Sequence, residues 1–161
     1  MRTAEIAVHD RVLPMPVAWS SLRYKYANFP TYFISRLFAG GRLLWKVYVY
    51  FRWLDDIVDD PGTDGAVKAT LLQEQRRFLE RGYAESALDP RHLRYEERIM
   101  WEVIQQIREE GDFKGHLLQL MSTFEFDVAR FGGKRVSEDD FMAYSRSIGT
   151  TYAYVLSRLM G

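Results

Sequence analysis

Apolar residues recur at helical spacing along nearly the whole chain, and the main interruptions of that spacing fall at Pro or Gly. A chain patterned in this way buries its apolar stripes by packing helix on helix, so the expected fold class is all-α. Pro14 and Pro16 close an irregular leader over 1–16. Two short helices are expected over Val17–Ala27 and Thr31–Phe38, parted by Asn28, Phe29 and Pro30, and Gly40 with Gly41 breaks the chain again. The stretch RLLWKVYVYFRWLDDIVDD, Arg42–Asp60, predicts a long helix stopped by Pro61 and Gly62; its β-branched and aromatic content also suits a strand, but its length favours helix. Further helices are expected over Ala66–Tyr83, Tyr95–Glu110 and Leu117–Phe131, the last closed by Gly132 and Gly133. Ser137 caps a final helix whose first turn, Glu138, Asp139 and Asp140, suits the positive end of its dipole. With no internal repeat and no linker, 17–161 forms one domain.

The chain has 161 residues and no Cys, so its core must be held by apolar packing alone, without disulfides, a thiolate metal site or a Cys nucleophile. Its formal net charge is zero, which argues against a nucleic-acid-binding surface. The charge is unevenly placed. Residues 1–54 carry eight Lys and Arg against only Glu5 and Asp10, and the remainder is correspondingly acidic. Half of the aromatic residues fall between Trp19 and Trp53, among Arg23, Lys25, Arg36, Arg42 and Lys46. That mixture suits either a ligand both apolar and anionic or an aromatic core with basic residues snorkelling from it. No apolar run approaches the roughly 20 residues that cross a bilayer, and MRTAEIAVHD lacks the apolar stretch of a signal peptide, so a cytoplasmic protein, soluble or peripheral to a membrane, is expected.

Chemistry concentrates on the Arg42–Asp60 helix. Tyr48, Arg52, Asp55 and Asp59 are spaced 4, 3 and 4 apart, which at about 100° per residue places them in one stripe roughly 60° wide. Most of the remaining helix is apolar, so the stripe should point into a cleft. Asp55, Asp56, Asp59 and Asp60 crowd the C-terminal turn, where the helix dipole disfavours anions; Arg52 compensates one, and the next cation in sequence is Lys68, beyond the Pro61 break. Mg²⁺ bound through a few of these carboxylates, with substrate phosphates, would relieve that penalty; a solvated acidic helix end is the competing reading.

The final helix carries Tyr144 and then a small-residue run, Ser145, Ser147, Gly149, Thr150, Thr151 and Ala153. Such a run permits close helix packing, or a bend that opens a cavity for an extended apolar chain. His9, His92 and His116 lack metal-ligand spacing, and neither Gly-Gly pair leads into a phosphate-binding loop.

These residues resemble the squalene/phytoene synthase family of head-to-head prenyltransferases. VYVYFRWLDDIVDD (Val47–Asp60) is similar to that family's first aspartate-rich motif, YANFPTYFISRLF (Tyr26–Phe38) to its N-terminal substrate segment, and FDVARF (Phe126–Phe131) with Ser137, Phe141 and Tyr144 to the run into its tyrosine-bearing helix. The resemblance implies an isoprenoid-synthase helical bundle that joins two prenyl diphosphates, farnesyl or geranylgeranyl, head to head to a squalene, hydroxysqualene or phytoene skeleton. By the same resemblance Asp55, Asp59 and Asp56 would hold Mg²⁺; Lys25, Asn28, Phe29, Tyr48 and Arg52 would contact the substrate; and Tyr144 would stand near the reacting carbons, with Arg52 and Tyr144 as the catalytic pair.

Two departures accompany it. Where the family's tyrosine helix continues with an Ala-Gly-Thr-Val-Gly type of run, this chain has Gly149, Thr150, Thr151, Tyr152 and Ala153. The family's second aspartate-rich motif, on a later helix, has no counterpart. The expectation is therefore an N-terminal portion of a longer domain, poorly active alone, which pairs with itself or with a complementing chain. The alternative is a non-catalytic helical assembly protein that keeps the family fold.

Overall fold

The fold is seen in a computed structural model that describes residues 33, 35–37, 40–84, 89–109, 112–130 and 136–160, with side chains as far as Arg158. Among these residues the regular structure is entirely helical: α1 (Gly41–Val58), α2 (Gly65–Ala84), a short 3₁₀ turn (Pro90–His92), α3 (Tyr95–Ile107), α4 (Phe113–Arg130) and α5 (Glu138–Met160). The all-α expectation holds. The leader over 1–16, the helix proposed over Val17–Ala27 and most of the Thr31–Phe38 segment lie outside the described residues.

Helix ends follow local chemistry. Ser137 Oγ accepts from the Asp140 backbone N–H at 3.1 Å, the expected N-cap of α5. Glu97 accepts from the Arg94 backbone N–H at 2.9 Å and fixes the start of α3. Arg108, just past α3, donates to the Gly82 and Tyr83 carbonyls and so supplies the partners that the end of α2 lacks. Three boundaries differ from expectation by two residues or more, one of them the end of α3, at Ile107 rather than Glu110. α4 begins at Phe113 rather than Leu117, because Phe113 is fully buried and anchors an extra turn in which Gly115 is tolerated. α1 ends at Val58, with Asp59 as its C-cap and Asp60 already in the following turn.

α1 is the centre of the bundle. It packs on α3 along one side and on α5 and α4 along the other, while α2 lies chiefly against α4 and α5 against α4. Tyr50, Leu54, Leu72, Leu79, Met100, Val103, Ile104, Leu117 and Met121 are buried with essentially no exposure and form the core. One buried polar chain crosses it. The Tyr50 hydroxyl donates to Gln75 Oε1 at 3.1 Å, and Gln75 Nε2 donates to Glu97 Oε1 at 2.6 Å, tying α1, α2 and α3 together with both members of each pair satisfied. Contacts on α4 and α5 run in opposite chain order, Asp127 with Tyr144 and His116 with Tyr154, so these helices are antiparallel.

Candidate functional site

Along the α4/α5 side of α1 runs a cavity of about 590 Å³, within the range of small-molecule sites. α1 lines it with Leu44, Val47, Tyr48, Phe51, Arg52 and Asp55, the positions of one helix face; α4 adds Leu120 and Phe124, and α5 adds Tyr152, Val155 and Leu156. The Phe51 and Phe124 rings stack at 5.9 Å and close its inner wall. The walls are apolar except at one end, where Tyr48, Arg52, Asp55 and Tyr152 gather. Asp55 is eleven positions past Leu44, so the channel follows α1 for roughly 16 Å.

The expected stripe is thus brought together in three of its four members. Tyr48, Arg52 and Asp55 share the cavity, whereas Asp59, on the C-cap, is exposed and outside its wall. Arg52 grips both neighbouring acids, Nη1 to Asp55 Oδ2 at 2.6 Å and Nη2 to Asp56 Oδ1 at 2.7 Å. Burial pushes the Asp55 carboxyl above the usual range, and the negative charge of Asp59 pushes it further, against the pull of Arg52. Burial also raises the Tyr48 and Tyr152 phenols, the second with help from Asp55, so both stay neutral donors at ordinary pH.

The crowding expected from four carboxylates is relieved in two ways the sequence order conceals. Asp60 accepts from the Gly62 backbone N–H at 3.1 Å and from the Thr63 hydroxyl, which hold its carboxyl below the ordinary value and make it a turn-building residue. Lys68, on α2, folds back so that its Nζ, fully buried, donates to the Val58 carbonyl at 2.6 Å. A second cation therefore sits against the negative end of α1. Among the described residues no three His, Asp or Glu side chains assemble into a metal cage. What remains is Asp55 and Asp59 one turn apart: hard oxygen donors whose mutual repulsion a divalent cation would remove, and a donor set that suits Mg²⁺, which takes one or two carboxylates plus phosphate oxygens.

Tyr144 stands outside the wall of this cavity. Its hydroxyl donates to Asp127 Oδ2 at 2.7 Å, its ring stacks on Phe126 at 4.9 Å, and Arg130 lies over the same ring. Burial, and then the Asp127 hydrogen bond, push this phenol up to about 12. Lys25, Asn28 and Phe29 lie outside the described residues. Sequence reasoning did not find Tyr152, Leu120, Phe124 or Asp127; the signals available were the i, i+3, i+4 set Tyr152, Val155 and Leu156, and the Asp inside FDVARF.

The small-residue run on α5 does not give close packing at its centre. A Cβ built on Gly149 meets nothing within 4 Å, so no helix packs closely there among the described residues. A close approach between two helices is found instead at Gly82, where a Cβ would come within 2.9 Å of Ile104 Cδ1.

Compared with known proteins, residues 37–161 match the family model described as squalene/phytoene synthase. The match takes in α1 through α5 and leaves most of the Tyr26–Phe38 segment outside it. No curated protein and no solved structure matches the chain.

Proposed function

The chain belongs to the squalene/phytoene synthase family, and from that premise we propose that it binds prenyl diphosphates for Mg²⁺-assisted head-to-head condensation. The observation that carries this reading is the cavity along α1, an apolar channel of about 590 Å³ whose one polar end holds Tyr48, Arg52 and Asp55. An isoprenoid chain would lie against Leu44, Val47, Phe51, Leu120, Phe124 and Leu156, which keep water from it. The Arg52 guanidinium and the Tyr48 phenol would hold the anionic head group. Bound by Asp55 and Asp59 with Asp56 adjoining, Mg²⁺ would supply charge neutralisation for the departing diphosphate. The stacked Phe51 and Phe124 faces offer a carbocation a dry surface with negative π density. Tyr144, expected near the reacting carbons, lies outside the channel wall with its hydroxyl donated to Asp127, so it would meet the cation only where the ligand extends past that wall.

The test is calorimetric titration of farnesyl and geranylgeranyl diphosphate, with and without Mg²⁺, into the native chain and into the double variant Asp55→Asn with Asp59→Asn. The native chain binds in an Mg²⁺-dependent manner and the variant does not. Without metal the variant is as stable as the native chain or more so, since two repelling charges leave the negative end of α1. Binding unchanged by the double substitution would remove the metal assignment.

A further inference from the structure

The tyrosine that the sequence marks for chemistry, Tyr144, is outside the cavity wall with its hydroxyl donated to Asp127, while a different tyrosine on α5 is part of that wall. Tyr152 stands at the polar end with Tyr48, Arg52 and Asp55, close enough to interact electrostatically with both Asp55 and Tyr48. Its hydroxyl makes no hydrogen bond among the described residues, and 48% of the residue is exposed, so a ligand can reach it. Taken in order, Gly149, Thr150, Thr151, Tyr152 and Ala153 put this phenol where the family's Ala-Gly-Thr-Val-Gly type of run has its valine. The chain places a hydrogen-bond donor at that point of the wall instead of an apolar group.

Arg52 is already engaged by two acids, Asp55 through Nη1 and Asp56 through Nη2, one positive charge against two negative, so the mouth of the channel carries a negative surplus. An anionic head entering it needs donors that these carboxylates do not neutralise. A phenol meets that need, since it stays un-ionised at ordinary pH and still offers an O–H. We propose that Tyr152 is a binding residue for the ligand's anionic head, its hydroxyl donating to a phosphate oxygen from the α5 wall of the channel as that of Tyr48 does from α1. The inference rests on the cavity being the ligand site proposed above. A hydrogen bond to a charged acceptor is worth about 10-fold or more in affinity and one to an uncharged acceptor less, so the effect of this hydroxyl follows the charge of the head and not the apolar chain behind it.

The experiment compares the native chain with Tyr152→Phe, which removes the hydroxyl and leaves the ring in the wall. Because that hydroxyl bonds to nothing among the described residues, the two should unfold at the same urea midpoint; a lower midpoint in the variant would give the hydroxyl a partner in the fold and overturn the inference. Each is titrated calorimetrically with farnesyl diphosphate, with and without Mg²⁺, and with farnesol, which carries the same chain on an uncharged head. Tyr152→Phe is expected to bind the diphosphate about 10-fold or more weakly than the native chain, and farnesol within about 3-fold of it. Mg²⁺-dependent diphosphate binding that is unchanged in Tyr152→Phe overturns the inference and leaves the metal-assisted reading standing, and so does a loss of equal size for diphosphate and farnesol. A diphosphate affinity that falls in Tyr152→Phe but is the same with and without Mg²⁺ supports the inference and sinks the metal-assisted reading. A native chain that binds farnesol alone, or neither ligand, overturns both.

Discussion

The two flanks of α1 are both built from apolar and aromatic residues, but the flank toward α2 and α3 is sealed, whereas the flank toward α4 and α5 stays open. On the sealed side Tyr50 and Leu54 have no exposure, and a polar chain within the core joins Tyr50 to Gln75 and Gln75 to Glu97. On the open side the polar groups pair with one another at the mouth, Arg52 with Asp55 and Asp56, and leave apolar walls with space between them. α5 also shows Phe141, Met142, Tyr152 and Leu156 at its surface. One flank keeps the helix in place so that the other can hold a cavity; packing both to full density would leave no site.

The largest effect should separate the flanks directly. Leu54→Ala removes a fully buried side chain from the sealed side and is expected to cost about 2–5 kcal/mol. Leu156→Ala, on the open side where 39% of the residue is exposed, should change stability by under about 1 kcal/mol. Urea unfolding of the two variants measures the contrast, and equal losses would mean that the open flank is packed as tightly as the sealed one.

A smaller effect is expected where the flanks meet, at the acidic end of α1. Lys68→Met keeps the bulk of the side chain but leaves the Val58 carbonyl without its charged donor, which should cost about 1–3 kcal/mol. If Lys68 instead contributed only apolar packing, the methionine variant would unfold at the native denaturant midpoint.

That lysine also illustrates what the sequence shows and what it hides. The helices are legible because their signals are local: the 3.6-residue period, Ser137 as a cap, Pro61 and Gly62 as a stop. Tyr48, Arg52 and Asp55 are legible as one face because they share a helix. Lys68 is ten residues past Val58 and across a turn, and nothing in its spacing says that it folds back onto the end of α1. Tyr152 was hidden for a related reason. Which side of α5 meets the cavity depends on the angle at which α5 lies on α1 and α4, a property of packing that a one-dimensional pattern does not contain. The Tyr144 hydroxyl likewise depends on Asp127, seventeen residues upstream on an antiparallel helix.

The Tyr144 pairing gives a prediction confined to alkaline solution. The phenol of the folded chain ionises near 12, against 10.0 without the fold's influence. Below the lower value both states keep the proton, and the stabilisation is complete. Above it the unfolded chain ionises first, so stability drains away as the pH climbs through the folded value. Tyr144→Phe should therefore lose less stability than the native chain over that interval, whatever its stability at neutral pH. Denaturant midpoints followed from pH 8 upward supply the comparison, and parallel curves would show that burial and the Asp127 hydrogen bond together do not raise the phenol.

The smallest effect belongs to two glycines that sit on opposite flanks. Gly82 lies on the face of α2 turned to α3, and a methyl group there would press on Ile104 Cδ1 at 2.9 Å, with Trp101 at 3.7 Å. Gly149, on α5, faces open space. An alanine in a helix loses less backbone freedom on folding than a glycine, a gain of roughly 0.5–1 kcal/mol wherever the added methyl meets nothing. Gly149→Ala should realise that gain. Gly82→Ala should lose it to the contact with Ile104, ending neutral or destabilised according to how far the flexible Cδ1 can move. Thermal unfolding of the two variants side by side measures the difference. A destabilised Gly149→Ala would mean that something in the folded protein occupies the space beside Gly149, and the open flank would then be less open than its cavity suggests.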